Sequence, residues 1–266
     1  MKWLEHLRIR HTLKYHPIPH AIWETVMHEV VIFHDLSAVE QAHLRELTTL
    51  FLHRKTINGV QGLIVSPEMA VIVAAQACLL ILKLGLDYYH GWVEVVIYPS
   101  AFQVDRDTTD SNGLVSHEAH ALSGESWSRG PVILSWDDIA TELSAGRPGY
   151  NVVVHEFAHK LDMLNGSANG MPPLHGNMVR DQWTDAFSNA YEHLQQQLMH
   201  GHYSDINAYA ATDPAEFFAV MSEYFFTAPQ IIFDHYPAVF EQLVLYYRQN
   251  PKHKVYGSSG SEFKAC

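Results

Sequence analysis

Between Met69 and Leu82 the chain reads MAVIVAAQACLLIL, with no charged residue. Ser66-Pro67 introduces the run as a cap residue followed by proline at the first helical position. The run is shorter than the ~20 residues needed to cross a bilayer. A helix apolar nearly all round has no face to give to water, so other elements must enclose it. A chain of 266 residues is long enough to do so.

The elements that could enclose it can be read in chain order. Residues 1–35 are rich in histidine and aromatics without clear periodicity and read as an N-terminal extension of unknown role. Ser37 and Glu40 have the spacing of a capping box, which predicts a helix to about Arg54. Gly59–Val65 reads as a short strand, and the β-branched run Val93–Tyr98, closed by Pro99, as a buried one. An acidic loop follows at 105–112. Further strands are expected at Leu114–Ala121 and Pro131–Trp136, then a short helix over 137–143. After a Gly/Pro loop at 166–178, helices are expected over 179–199, from Asp213-Pro214 onward and over 238–247. Strands preceding helices, with no regular βαβ alternation, predict an α+β fold with a single domain over 36–252. Residues 253–266 resemble a linker or cloning scar and are expected to be disordered.

His155-Glu156-Phe157-Ala158-His159 spells H-E-x-x-H. On a helix, residues i and i+4 share a face, so both imidazoles can reach one metal ion, and neutral imidazoles suit Zn²⁺. Glu156, one step round, is placed to take a proton from an attacking water. With 19 histidines in 266 residues, random order gives about 0.07 matches, so the flanks must support the motif. They do: Asn151 is an N-cap, Val152–Val154 and Leu161 continue an apolar face, and Asn165-Gly166 stops the helix. By contrast, His117-Glu118-Ala119-His120 has its histidines three apart in a strand-like setting, where they point to opposite faces, and reads as surface histidines.

A catalytic zinc takes three protein ligands. The extension H-E-x-x-H-x-x-G-x-x-H fails, because Asp162 and Asn165 stand where glycine and histidine are needed. Asp162 lies about 10 Å along the axis from His155 and suits a role orienting a ligand histidine or a plain helix-end carboxylate. Glu216 and Glu223, seven apart on one aromatic-rich helix, are the remaining ligand candidates, because a carboxylate buried there needs a partner. Glu216 also fits the capping-box position after Asp213, and Glu223 an ordinary ion pair. Spacing leaves the two level.

His155–Asp162 and Asp205–Glu216, with Gly91–Pro99, Gly130–Trp136 and Ser222–Phe226, resemble the Mlc titration factor A family of bacterial zinc peptidases, which is related to the catalytic domain of anthrax lethal factor. The likeness covers roughly residues 35–252. It implies a zincin-like (gluzincin) domain with one Zn²⁺ per chain on His155, His159 and Glu216, leaving Glu223 outside the ligand set. It also implies a Tyr209 that donates to the oxyanion, and an aminopeptidase-type activity on short peptides. Such an enzyme needs an acid for the substrate's α-ammonium, for which Asp162, Glu223 and the 105–110 loop are candidates. The apolar stretch Val132–Trp136 is a candidate edge strand for the substrate backbone.

The resemblance carries an alternative of another class, a regulatory protein that captures an Mlc-type transcriptional repressor of sugar uptake. A net charge of −12 suits a protein partner and argues against nucleic acid. A purely structural zinc is disfavoured, since such sites are usually cysteine-rich and closed. Two cysteines exclude a disulfide framework and fit a reducing cytoplasm. The N-terminus lacks the apolar core of a secretory signal, and no membrane segment is expected.

Overall fold

The structure is a computed structural model and describes residues 2–100 and 130–251. The expected loop at 105–112, the strand at Leu114–Ala121 with its two histidines, and the tail at 253–266 lie outside the described residues.

The uncharged run forms α4 (Pro67–Leu80), with the Ser66 side chain accepting from the Met69 N–H and every residue from Val71 to Leu80 buried. Helices α2 (His20–Glu29), α3 (Ala38–Arg54) and α6 (Val152–Asp162) pack around it. The Ser37–Glu40 capping box starts α3 with both reciprocal hydrogen bonds formed, at 3.0 and 3.3 Å. Residues 1–35, which have no readable periodicity, contribute α1 (Lys2–Tyr15) and α2. Burial of Trp23, Val26 and Phe33 makes α2 and its following turn part of the core. By contrast Trp3, Leu4, His6, Leu7 and Arg8 of α1 are exposed; Thr12 is buried, the helix packs on α3, and His16 just beyond its end stacks on His53 at 5.4 Å.

Among the described residues the sheet has three strands in the order β1 (Thr56–Gly59), β2 (Glu94–Tyr98) and β3 (Val132–Ser135), all parallel. Thr56 pairs with Glu94 and Val95 with Val132. The first strand falls earlier than the 59–65 expected from sequence. The chain turns at Gln61-Gly62, both with positive φ, so pairing with β2 is confined to 56–59. The parallel pairing of β1 with β2 requires the crossover through α4. A mixed helical fold with a small parallel sheet results, and among the described strands β3 is the outermost beyond β2, packed against α6.

Helix α5 (Trp136–Ala145) leads directly out of β3. Beyond α6 come α7 (Arg180–Met199), α8 (Pro214–Thr227), α9 (Pro229–His235) and α10 (Pro237–Tyr247). The short α9 has no counterpart in the sequence reading. Helix α8 is buried from Ala215 to Phe226 and packs across α6. Among the described residues, no helix is long and apolar enough to cross a membrane.

Candidate metal centre

Asn151 fixes the start of α6 through three hydrogen bonds. Its Oδ1 accepts the Val154 N–H at 2.8 Å, and its Nδ2 donates to Gln76 Oε1 of α4 at 2.6 Å. Its backbone N–H donates to Glu223 Oε2 of α8 at 2.5 Å. One residue thus caps the helix and ties it to its two main neighbours. Glu142 of α5 accepts the next free N–H, that of Val152, at 2.8 Å. Burial pushes the Glu142 carboxyl up to about 8. Glu142 is absent from the sequence reading; its spacing of three from buried Ile139, which puts both on one face of α5, was the available signal.

On the next turn of α6, His155 and His159 turn their Nε2 atoms to within 3.2 Å of each other. Glu216 Oε2 closes the triangle, 3.0 Å from His155 Nε2 and 3.5 Å from His159 Nε2. His155, His159 and Glu216 are the group of possible metal ligands found among the described residues. Three donors on one tetrahedral ion at roughly 2.0–2.1 Å stand about 3.3 Å apart. The observed triangle therefore fits the ion without rearrangement. The donor chemistry fits too, because two imidazole nitrogens and a carboxylate oxygen, facing one another out of water, share an interest in one cation.

Glu223 lies on the other side of the same imidazole. Its Oε1 accepts from His155 Nδ1 at 2.8 Å. That bond keeps a proton on Nδ1 and turns Nε2 toward the triangle. Glu216 and Glu223, level in the sequence, thus flank one ring at its two nitrogens.

Tyr209 sits on a short 3-10 turn (Ala208–Ala211) that Asn207 caps, with its ring 6.0 Å from that of His155. Its hydroxyl is hydrogen-bonded to the Glu216 side chain, and burial together with the Glu216 charge raises its pKa, so the phenol keeps its proton. Tyr224 of α8 holds this turn, accepting from the Asn207 N–H at 3.1 Å and donating to the Asp205 carbonyl at 2.7 Å. Gly149 lies against the Tyr224 ring, where a Cβ would come within 2.1 Å of Cζ. Only glycine leaves room for Tyr224 to reach Asp205.

Asp162 is fully buried at the end of α6. Its Oδ2 accepts the N–H groups of Asn169 and Gly170 at 2.8 and 2.7 Å. Gly170 in turn abuts the first residue of α8, with a Cβ position 2.4 Å from the Pro214 carbonyl oxygen. Asp162 therefore braces the turn that supports the Glu216 end of α8. Glu156 is half-exposed one step round from His155. Lys160 donates to the Gly130 carbonyl at 2.8 Å and fastens the approach to β3 onto α6.

Burial opposes charging of His155, yet its hydrogen bonds to Glu216 and Glu223 outweigh this and raise its pKa to about 10. In the metal-free protein the ring is imidazolium at neutral pH, and an ion must displace that proton to reach Nε2. Metal binding at pH 7 is expected to release about one proton per ion. Affinity is expected to rise about tenfold per pH unit toward the His155 pKa. Calorimetry in buffers of different ionisation enthalpy counts the proton, and a count of zero would refute a charged His155.

Comparison with known proteins supports a metallopeptidase. A sequence model described as "Glucose-regulated metallo-peptidase M90" matches residues 3–248. Proteins named Mlc titration factor A from Escherichia fergusonii and Klebsiella pneumoniae subsp. pneumoniae are each 40% identical over 232 residues, covering 86% of this chain and 86% of the relative. One from Salmonella arizonae is 39% identical over 239 residues, or 88% of this chain and 93% of the relative. The matched stretch runs from α1 through α10 and contains every residue of the triangle. The chain belongs to the glucose-regulated metallo-peptidase M90 family.

Proposed function

We propose that the chain is a zinc-dependent aminopeptidase acting on short peptides. The convergence of His155 Nε2, His159 Nε2 and Glu216 Oε2 within 3.0–3.5 Å of one another carries this reading. These three residues would hold the ion, in the manner of a gluzincin domain, and Glu223 would orient His155. When bound, zinc supplies Lewis acidity that makes water nucleophilic near neutral pH and polarises a carbonyl.

Glu156 accepts the proton of the attacking water and passes it to the leaving amine. The Tyr209 hydroxyl, which keeps its proton, donates to the oxyanion as it develops. Strand β3, outermost among the described strands and anchored through Lys160 and Gly130, offers its outer side to an extended substrate backbone. Tyr209→Phe is expected to lower kcat about 100- to 1000-fold with little change in KM, the loss typical of one oxyanion donor. An equal rise in KM would assign Tyr209 to substrate binding instead.

The exopeptidase assignment rests on the family likeness. Asp162 and Glu223 are both buried and already engaged by backbone N–H groups or His155. The acids of the 105–110 loop are then the remaining candidates for the substrate's α-ammonium. Matched peptides with free and acetylated N-termini test the assignment. Hydrolysis should require the free amine, and faster cleavage of the acetylated set would make the protein an endopeptidase. Cytoplasmic placement accords with the two cysteines, of which Cys78 is buried and free.

A second reading is favoured by the relatives' name, which points to titration of a partner called Mlc. Capture of an Mlc-type repressor by this acidic chain would be a protein–protein role alongside hydrolysis. Co-purification with such a repressor, with and without chelator, separates the roles: binding that ignores the chelator is independent of the metal centre.

A further inference from the structure

We propose that the outward face of α1 docks the protein on an anionic lipid surface. Helix α1 carries apolar side chains on two sides. On one side Ile9 and Leu13 are half-buried and Thr12 is buried, where the helix packs on α3. Away from that contact Trp3, Leu4, Leu7 and Tyr15 are exposed, with 72% of Trp3 and 59% of Tyr15 open to solvent. Val93 is exposed too; it lines the same concavity as Leu4 and carries the apolar surface beyond the helix. Exposed apolar residues mean little singly, but a contiguous set marks a surface that a membrane or a partner covers.

Charge around this face selects between them. Helical spacing puts Arg8 one turn beyond Leu4, and Arg10 and Lys14 one and two turns beyond Leu7. All three cations are exposed, and among the described residues none of them forms an ion pair with a carboxylate. Lys14 lies over the Tyr15 ring at 5.1 Å. Residues 2–15 hold Lys2, Arg8, Arg10 and Lys14 against Glu5, a net +3 in a chain of −12, so the rest of the chain carries −15. Trp, Leu and Tyr bordered by Lys and Arg are the chemistry of a helix lying in a bilayer interface. The rings and leucines enter the acyl boundary, and the long cationic side chains reach back to the phosphates. The face is the convex side of one helix about 21 Å long. A fluid surface covers such a face as it stands, whereas an acidic protein would need a groove shaped for it. The acidic body is repelled by the same surface, which keeps α1 as the point of contact, and at physiological salt that repulsion fades beyond about 8 Å.

Docking through α1 leaves the metal triangle free. Behind Leu4 and Arg8 lie Tyr89 and Trp92, which line the same concavity. Their rings pack 5.2 and 5.7 Å from Phe157. Phe157 lies two residues from both His155 and His159, so it leaves α6 on the side away from the triangle. Helix α1 and the metal centre are therefore on opposite sides of α6. A chain held on a membrane by α1 keeps that centre toward the aqueous phase.

Flotation of the full-length protein with two kinds of vesicle tests the proposal: phosphatidylcholine alone, and an equal mixture of phosphatidylcholine and phosphatidylglycerol. Each cation near an anionic leaflet is worth about fivefold in affinity. The mixture should therefore bind about 10- to 100-fold more tightly than phosphatidylcholine, and the difference should shrink as salt is raised. Arg10→Glu combined with Lys14→Glu should remove that preference. Trp3→Ser combined with Leu7→Ser should weaken binding to the mixture about tenfold or more. Both pairs should keep the wild-type melting temperature, because all four side chains are exposed. The proposal is overturned if the mixture recruits no more protein than phosphatidylcholine, or if either double variant binds the mixture as tightly as the wild type. Light scattering without vesicles supplies the competing outcome. A wild-type mass of two chains that falls to one in the Trp3→Ser, Leu7→Ser variant would make this face a contact between copies and overturn the lipid assignment.

Discussion

Glu156→Gln is expected to leave one metal ion bound per chain while lowering kcat by about 10²- to 10⁴-fold, the span attributed to a positioned general base. The separation of the two effects follows from where Glu156 stands. The proposed ligand triangle is His155, His159 and Glu216, and Glu156 leaves the helix one residue further round. Glutamine has nearly the same volume, so packing of α6 on α4 and α8 is untouched. What is lost is the ability to take up a proton. Metal content by atomic absorption and turnover of a free-amine peptide, measured on the same preparation, form the test. Turnover at the wild-type rate would sink the general-base assignment. Loss of the metal together with activity would show instead that Glu156 supports the ligand set.

Local features of the site were legible in the sequence because they are local in space. The H-E-x-x-H spacing, the Asn151 cap and the Asn165-Gly166 stop all act within one helix. The run from Met69 to Leu82 demanded a central position, and α4 has it. What could not be read depends on partners distant in the chain. The first helix shows no apolar periodicity, because Trp3, Leu4, His6, Leu7 and Arg8 face solvent and burial begins near Thr12. Strand β1 is bounded by its pairing with β2, not by its own composition. Glu142 reaches the metal helix only because α5 leads back from β3 to place it at the Val152 N–H. The parallel pairing of β1 with β2 follows from the α4 crossover, which neither strand encodes alone.

The choice between Glu216 and Glu223 is of the same kind, and it gives the second large effect. The two carboxylates lie two turns apart on α8, about 10 Å along its axis. They meet a single imidazole because α8 crosses α6 at His155, so Glu216 faces Nε2 and Glu223 faces Nδ1. Glu216→Gln should remove an anionic ligand. Structural zinc sites with four ligands are worth about 10–16 kcal/mol, so one ligand accounts for about 3 kcal/mol, or about 100- to 1000-fold in affinity. Glu223→Gln should cost less, near the lower end of the 10- to 100-fold range for a residue that orients a ligand histidine. The glutamine carbonyl can still accept the Nδ1 proton, which limits the loss. Both substitutions remove a buried carboxylate beside His155, so both lower the proton competition at that ring by a similar route. The difference between them therefore isolates direct ligation. Competition with a chromogenic chelator at pH 7 measures it. A larger loss for Glu223→Gln than for Glu216→Gln would reverse the assignment and make Glu223 the third ligand.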